Sequence, residues 1–298
     1  DGNVKCWGLG LSGQLGCEDT SARGDDANEM GGNLQNIDLG TGRIAVHIAC
    51  GAYHTCAVLD DNTAKCFGRN HEGQLGYGDM TPRGGGASEM GDDLSTIDLG
   101  TGRSAVHIAC GAYHTCAVLD DNTTKCWGLN SYGQLGYGDT SSRGDDALEM
   151  GDNLPTIDLG TGRSALHLAS GQLHTCAILD NGNAKCWGRG HNGRLGYDNW
   201  NARGDGPNEM GNNLPNIDLG TGRTAAHLAS GQFHTCAILD IGTVKCWGLG
   251  LDGRLGYGDT STRGGSANHM GDNLPNVELG TGRTAVDLDI GHKYTCAI

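Results

Sequence analysis

Along the chain, apolar residues recur in short alternating runs separated by glycine- and asparagine-rich stretches, and nowhere at helical spacing. Within residues 91–150, Thr96–Leu99 is expected to be an edge strand, and Ala105–Cys110 alternates before a turn at Gly111. Thr115–Leu119 and Thr124–Trp127 flank Asp120-Asp121-Asn122, residues suited to a tight turn, so they are expected to pair as a hairpin. Gly128–Gly151 is expected to be loop. The same pattern returns every 60 residues: CGAYHTCAVLDD begins at Cys50 and at Cys110, SGQLHTCAILD at Ser170, SGQFHTCAILD at Ser230 and IGHKYTCAI at Ile290. Four short strands per copy leave no room for a helix, which is the pattern of propeller blades. The expectation is an all-β chain forming one β-propeller over residues 1–298, with five blades of four antiparallel strands.

Composition narrows the function classes. Glycine supplies 54 of 298 residues but not every third one, so a collagen helix is excluded. No run approaches the roughly 18 apolar residues of a membrane-spanning helix, so no membrane insertion is expected. With 20 basic against 35 acidic residues the net charge is −15, which argues against nucleic-acid partners. Thirteen cysteines suit a secreted, oxidised protein. Without an initiator methionine or leader, the chain is expected to be processed or excerpted.

The stretch GAYHTCAVL…KCWGLNSYGQLGYGD resembles the repeat of the regulator of chromosome condensation family, with its glycine, His-Thr, Trp-Gly and Gly-Gln-Leu-Gly. The resemblance runs through all five copies. It implies a propeller, usually seven-bladed in that family, whose members include nucleotide exchange factors and a secreted β-lactamase inhibitor. The present chain differs in its five copies, longer loops and paired cysteines.

Cys56 and Cys66 lie ten apart, as do Cys116 and Cys126, Cys176 and Cys186, and Cys236 and Cys246. Each pair falls opposite across its predicted hairpin, close enough for a disulfide. The fifth copy holds only Cys296, whose partner by repeat arithmetic is Cys6. Their bond would close the ring between the N- and C-terminal strands. Cys50 and Cys110 could bridge neighbouring blades or remain small buried thiols, and Cys17 replaces the tyrosine of positions 77, 137, 197 and 257. Cysteines ten residues apart without a clustered second pair make poor zinc spacing, so no metal and no cofactor are expected.

Positions shared by the copies mark scaffold, and positions that vary are free to carry function. Lys5, Arg23, Arg43 and their equivalents account for 15 of the 20 basic residues and suit loop ion pairs. His54, His114, His174 and His234 belong to the His-Thr hallmark and are expected to bond the blade backbone. His47, His107, His167 and His227, with Asp287 closing the set, suit contacts between blades, with an ion site the less favoured reading. Arg23-Gly24-Asp25 and its counterparts read as loop chemistry rather than an adhesion motif. Asn122-Thr123-Thr124 is a glycosylation sequon at a hairpin tip. No catalytic motif is present, so no enzyme is expected.

The variable turns after the first strand hold Tyr53, Tyr113, Leu173, Phe233 and Lys293, while those after the third strand hold His71, Tyr132 and His191. First and third strands of a meander run the same way, so both sets are expected on one face, with aromatics suited to binding. The expected function is a secreted binding propeller that recognises a protein or glycan through this face. The alternative is self-association into an extracellular filament, coat or matrix, and an exchange-factor role ranks below both.

Overall fold

Alternation of small and branched residues over five or six positions, bounded by glycine turns, produces the same sheet four times. The structure is a computed structural model describing residues 2–298. The first sheet orders β1 (Ala45–Cys50), β2 (His54–Leu59) and β3 (Ala64–Gly68) as an antiparallel meander. The second contains β4 (Ala105–Cys110), β5 (His114–Leu119) and β6 (Thr124–Gly128). The third contains β7 (Ala165–Ser170), β8 (His174–Leu179) and β9 (Ala184–Gly188). The fourth contains β10 (Ala225–Ser230), β11 (His234–Leu239) and β12 (Val244–Gly248), and a two-stranded sheet pairs β13 (Leu288–Ile290) with β14 (Thr295–Ala297).

Contacts divide the chain into two compact units. One comprises residues 1–121, 125–129 and 142–156, and the other residues 122–124, 130–141 and 157–298. In each full sheet the middle strand is buried at every position. The aromatic residue of each third strand anchors the core: Phe67, Trp127, Trp187 and Trp247 are all fully buried. The buried indole N–H needs an acceptor, and Trp127 donates to the Gln74 carbonyl at 3.1 Å while Trp187 donates to that of Gln134.

The repeat-fixed cations are scaffold. Lys65 is buried and donates to the carbonyls of Leu39 and Gly91, and Lys125, Lys185 and Lys245 repeat the arrangement. Burial lowers all four ammonium groups from their ordinary range. Arg83 pairs with Asp79 and Arg43 with the hairpin-tip residues Asp60 and Asp61. The Arg-Gly-Asp loop is likewise internal chemistry, since the amides of Gly24 and Asp25 donate to Glu29.

Four disulfides join opposed residues of second and third strands: Cys56–Cys66, Cys116–Cys126, Cys176–Cys186 and Cys236–Cys246. Cys6 and Cys296 both stand as thiols. Cys6 is buried and packed with Leu15, Cys17 and Ile37, and Cys296 is exposed on β14, which among the described residues pairs with β13 alone. Cys17 and Cys110 are buried thiols, while Cys50 is exposed.

The four-strand blade also needs correction. Residues 96–99 form no strand, because Ile97 makes a single backbone bond to the Ala64 carbonyl instead of a ladder. A second single bridge, Gly68 with Arg83, lies beyond β3. These isolated contacts hold the long loop against the sheet, and the sheets have three strands.

The hallmark histidines differ from expectation in their partner. His54 Nε2 lies 2.8 Å from the Thr115 hydroxyl of the next repeat, which itself donates to the Gln74 carbonyl. With its proton committed, that hydroxyl must accept, so Nε2 carries a His54 proton, and burial keeps the ring neutral at pH 7. The same pairing joins His174 to Thr235 and His234 to Thr295. A hydroxyl reached across the repeat boundary therefore replaces the expected blade backbone.

Candidate binding surface at the turn ends of the strands

The β1–β2 turn and the segment after β3 meet because their backbones bond. Arg69 N–H donates to the Tyr53 carbonyl at 2.9 Å, Leu129 to Tyr113, Arg189 to Leu173 and Leu249 to Phe233. Each repeat thereby presents both variable sets at one end. In the first unit Tyr53 and Tyr113 are half-buried, with ring centroids 5.5 Å apart. The Arg69 guanidinium lies over both rings, 5.4 and 5.7 Å from their centroids. Burial and the hydrogen bond with Tyr53 raise the Tyr113 phenol above its ordinary value. Two tyrosines and an arginine held in one stack form a rigid, amphipathic patch. His71 is exposed beside the following loop residues.

In the second unit the Arg189 guanidinium stacks 4.7 Å from the centroid of the exposed Tyr132 ring. Phe233 is half-buried, with the guanidinium groups of Arg194 and Arg254 at 5.1 and 6.0 Å from its centroid. His191 is exposed and meets the Trp200 ring edge-on at 4.9 Å, and Lys293 is exposed. Leu173 is a correction: at 8% exposure it belongs to the core. A purely aliphatic side chain at this turn folds inward, whereas a phenol keeps its hydroxyl toward water.

Arg194 and Arg254 escaped the sequence reading. The available signal was their replacement of Gln14, Gln74 and Gln134 at a position otherwise uniform among the repeats. Trp200, half exposed, was also passed over; it stands where the other repeats carry small or flexible residues.

Two other clusters carry less chemistry. His47 and His107 stack at 4.8 Å, as do His167 and His227, which places these histidines as contacts between successive repeats. His54, Cys56 and Cys110 bring metal-type atoms within 4.8 Å of one another, but the Cys56 sulfur is committed to its disulfide. Asn122 is exposed at its hairpin tip with φ of 65°, an accessible position for a glycan. Among the described residues no helix is long and apolar enough to cross a membrane.

Models described as the regulator of chromosome condensation (RCC1) repeat match residues 45–74, 105–134, 166–194 and 225–254, and a second model of that description matches 126–178. The chain is 32% identical to the ultraviolet-B receptor UVR8 of Arabidopsis thaliana over 218 residues, covering 72% of this chain and 44% of the receptor. It is 28% identical to the human E3 ubiquitin-protein ligase HERC2 over 266 residues, 88% of this chain but 5% of the ligase. The chain thus spans under half the length of these curated relatives. Among solved structures, human WBSCR16 superposes with a TM-score of 0.73 at 18% identity, covering 99% of this chain and 71% of that one. Prp20p of Saccharomyces cerevisiae superposes with a TM-score of 0.70 at 17% identity, over 99% of this chain and 64% of that one. These likenesses show the fold, an all-β propeller type built here from antiparallel three-stranded sheets.

Proposed function

Because the chain belongs to the RCC1-repeat family, we propose that it is a non-enzymatic binding propeller. Its partner contacts the turn ends of the strands, where Tyr53, Tyr113 and Arg69 stack in one unit and Tyr132, Arg189 and Phe233 gather in the other. The observation that carries this reading is the Tyr53–Tyr113–Arg69 stack. A scaffold does not need it, since the same turn holds Leu173 in another repeat and keeps the same backbone bond. Binding of proteins is the family-level precedent: yeast RCC1 (Prp20) is described bound to Kap60, and the Prp20p structure is described together with binding to Gsp1p and histones. The repeat-fixed sheets supply rigidity, so aromatic anchors bind with little ordering cost.

The test immobilises the native protein and a Tyr53→Ala/Tyr113→Ala variant, exposes both to the secreted proteins of the source cells, and compares retention with melting. Truncating such anchors typically removes about 2 kcal/mol or more of binding, so retention is expected to fall with little change in melting temperature. Asp61→Ala/Asp121→Ala at the opposite hairpin tips is expected to leave both unchanged, because exposed ion pairs contribute roughly 0–1 kcal/mol. A tyrosine pair whose loss melts the fold would make those rings core and overturn the assignment.

Secretion, glycan recognition and a single five-blade domain over residues 1–298 are further parts of the proposal. Four disulfides support an oxidising compartment. Ring closure is supported by register: Cys236 stands opposite Cys246, and the same offset sets Cys296 against Cys6. Non-reducing peptide mapping is expected to find a 6–296 cross-link in the native protein. Recovery of both cysteines as alkylated thiols overturns closure.

A further inference from the structure

Five basic residues fall outside the repeat-fixed set: Arg69, Arg189, Arg194, Arg254 and Lys293. Every one lies at the turn ends of the strands, and four of the five lie in the second unit. This concentration sits on a chain of net charge −15. The surplus acid elsewhere repels any stretch of an extended polyanion that comes within a Debye length of about 8 Å of it, so the basic turn ends suit a short anionic group better than a long one.

Arg194 is the sharpest of these features. In the earlier repeats its position is glutamine, and Gln74 and Gln134 use their side-chain oxygens to accept the amides of Glu72 and Tyr132. In that neutral arrangement the loop amides are satisfied, while the Gln74 and Gln134 side-chain nitrogens are buried without a partner. Arg194 gives up the acceptor and places a guanidinium at 0% exposure. Nε donates to the His191 carbonyl and one terminal nitrogen to the Gln232 carbonyl, while the other, Nη2, has no hydrogen-bond partner. Among the described residues no carboxylate pairs with Arg194 or Arg189, whereas Arg254 is bridged to Asp252. Burial, with Arg189 nearby, lowers the Arg194 guanidinium to about 10. A buried cation without a counter-charge is costly, and the two carbonyl bonds that Arg194 makes in place of the glutamine contact supply no charge to balance it. An anion brought from outside the chain would supply that counter-charge.

We infer that Arg189 and Arg194 form a carboxylate-binding subsite for a short acidic segment of a protein partner, with Phe233 and Tyr132 packing the apolar residues beside the acid. The inference rests on the binding role of the turn ends and specifies the partner's chemistry. Arg189, half-buried on the Tyr132 ring, meets the carboxylate directly as a planar donor. Arg194, fully buried under Phe233, supplies an unneutralised positive field beneath the subsite.

The test measures anisotropy of a fluorescein-labelled octapeptide of six glutamates and two phenylalanines, and of its all-glutamine counterpart, with the full chain at physiological salt. The acidic peptide is expected to bind at least tenfold more tightly. Arg194→Gln, which restores the residue of the earlier repeats, is expected to erase that preference while holding or raising the melting temperature. Arg189→Leu is expected to weaken the acidic peptide about tenfold, and Arg163→Gln, paired with Asp180 at the opposite end of the strands, to change nothing. Equal binding of the two peptides, or a preference that survives Arg194→Gln, overturns the inference. Tighter binding of a heparin oligosaccharide or single-stranded DNA overturns the occupant. A dimer in sedimentation that dissolves with Arg194→Gln reassigns the subsite to a second copy and overturns it too. Retention of a partner through Tyr53 and Tyr113 without any acidic-peptide preference removes the subsite and leaves the broader reading in place.

Discussion

Acidification from pH 7.5 to 5 is expected to remove roughly 6 kcal/mol of folding stability, through three buried histidines contributing about 2 kcal/mol each. Burial lowers His54 and His114 to about 3, and His234, which also faces Arg254, to about 4. In the unfolded chain each titrates near 6.5. A depressed histidine leaves the folded state neutral while the unfolded state takes up protons, so stability is full above pH 6.5 and falls as pH drops toward the folded values. Burial raises the Asp145 and Asp205 carboxyls, which take up protons in the folded state as pH falls and offset part of this loss. Asp79, Asp92 and Asp259 are held below their ordinary range by arginine or threonine partners, so they act only at lower pH. Urea unfolding at half-unit steps should show a slope near three protons below pH 6. His54→Gln should reduce it by about one. A flat profile between pH 7.5 and 5 would mean these rings are reached by water.

Removing one hairpin disulfide, as Cys116→Ala/Cys126→Ala, is expected to cost about 2–3 kcal/mol, the chain-entropy value for a loop of about ten residues. Both cysteines are fully buried, and alanine leaves small voids that add to the loss rather than offset it. The melting midpoint should fall by several degrees, and equilibrium unfolding in urea should report the difference directly. A loss under about 1 kcal/mol would place the hairpin's stability in its register and its neighbours, with the bond redundant.

The strands and their pairing were legible because both signals are local. Alternation over Ala105–Cys110 and the turn residues after Leu119 set the meander, and cysteines ten apart fell opposite at Cys116 and Cys126. Contacts between repeats were less legible. The partner of His54 is a threonine 61 residues away, and nothing in the His-Thr pair distinguishes that hydroxyl from a backbone group. Thr96–Leu99 had strand-forming residues, but a strand needs a continuous ladder and Ile97 finds one bond. At the turn ends, variation between copies located Tyr53, Tyr113 and Phe233, yet it could not separate surface from core at Leu173. Arg194 was hidden for the opposite reason. It sits inside an otherwise conserved-looking loop, and its meaning emerges only from its burial and its unpartnered nitrogen.

The central claim is that the turn ends, and not the hairpin tips, meet the partner. Hydroxyl-radical footprinting of the native protein, alone and with the partner it retains, tests this in one experiment. Tyr53, Tyr113, Tyr132 and Phe233 are expected to lose reactivity on binding. Ile241, 52% exposed at the opposite hairpin tip, is expected to react equally in both states. Protection of Ile241 with unchanged reactivity of the four aromatics would contradict the account.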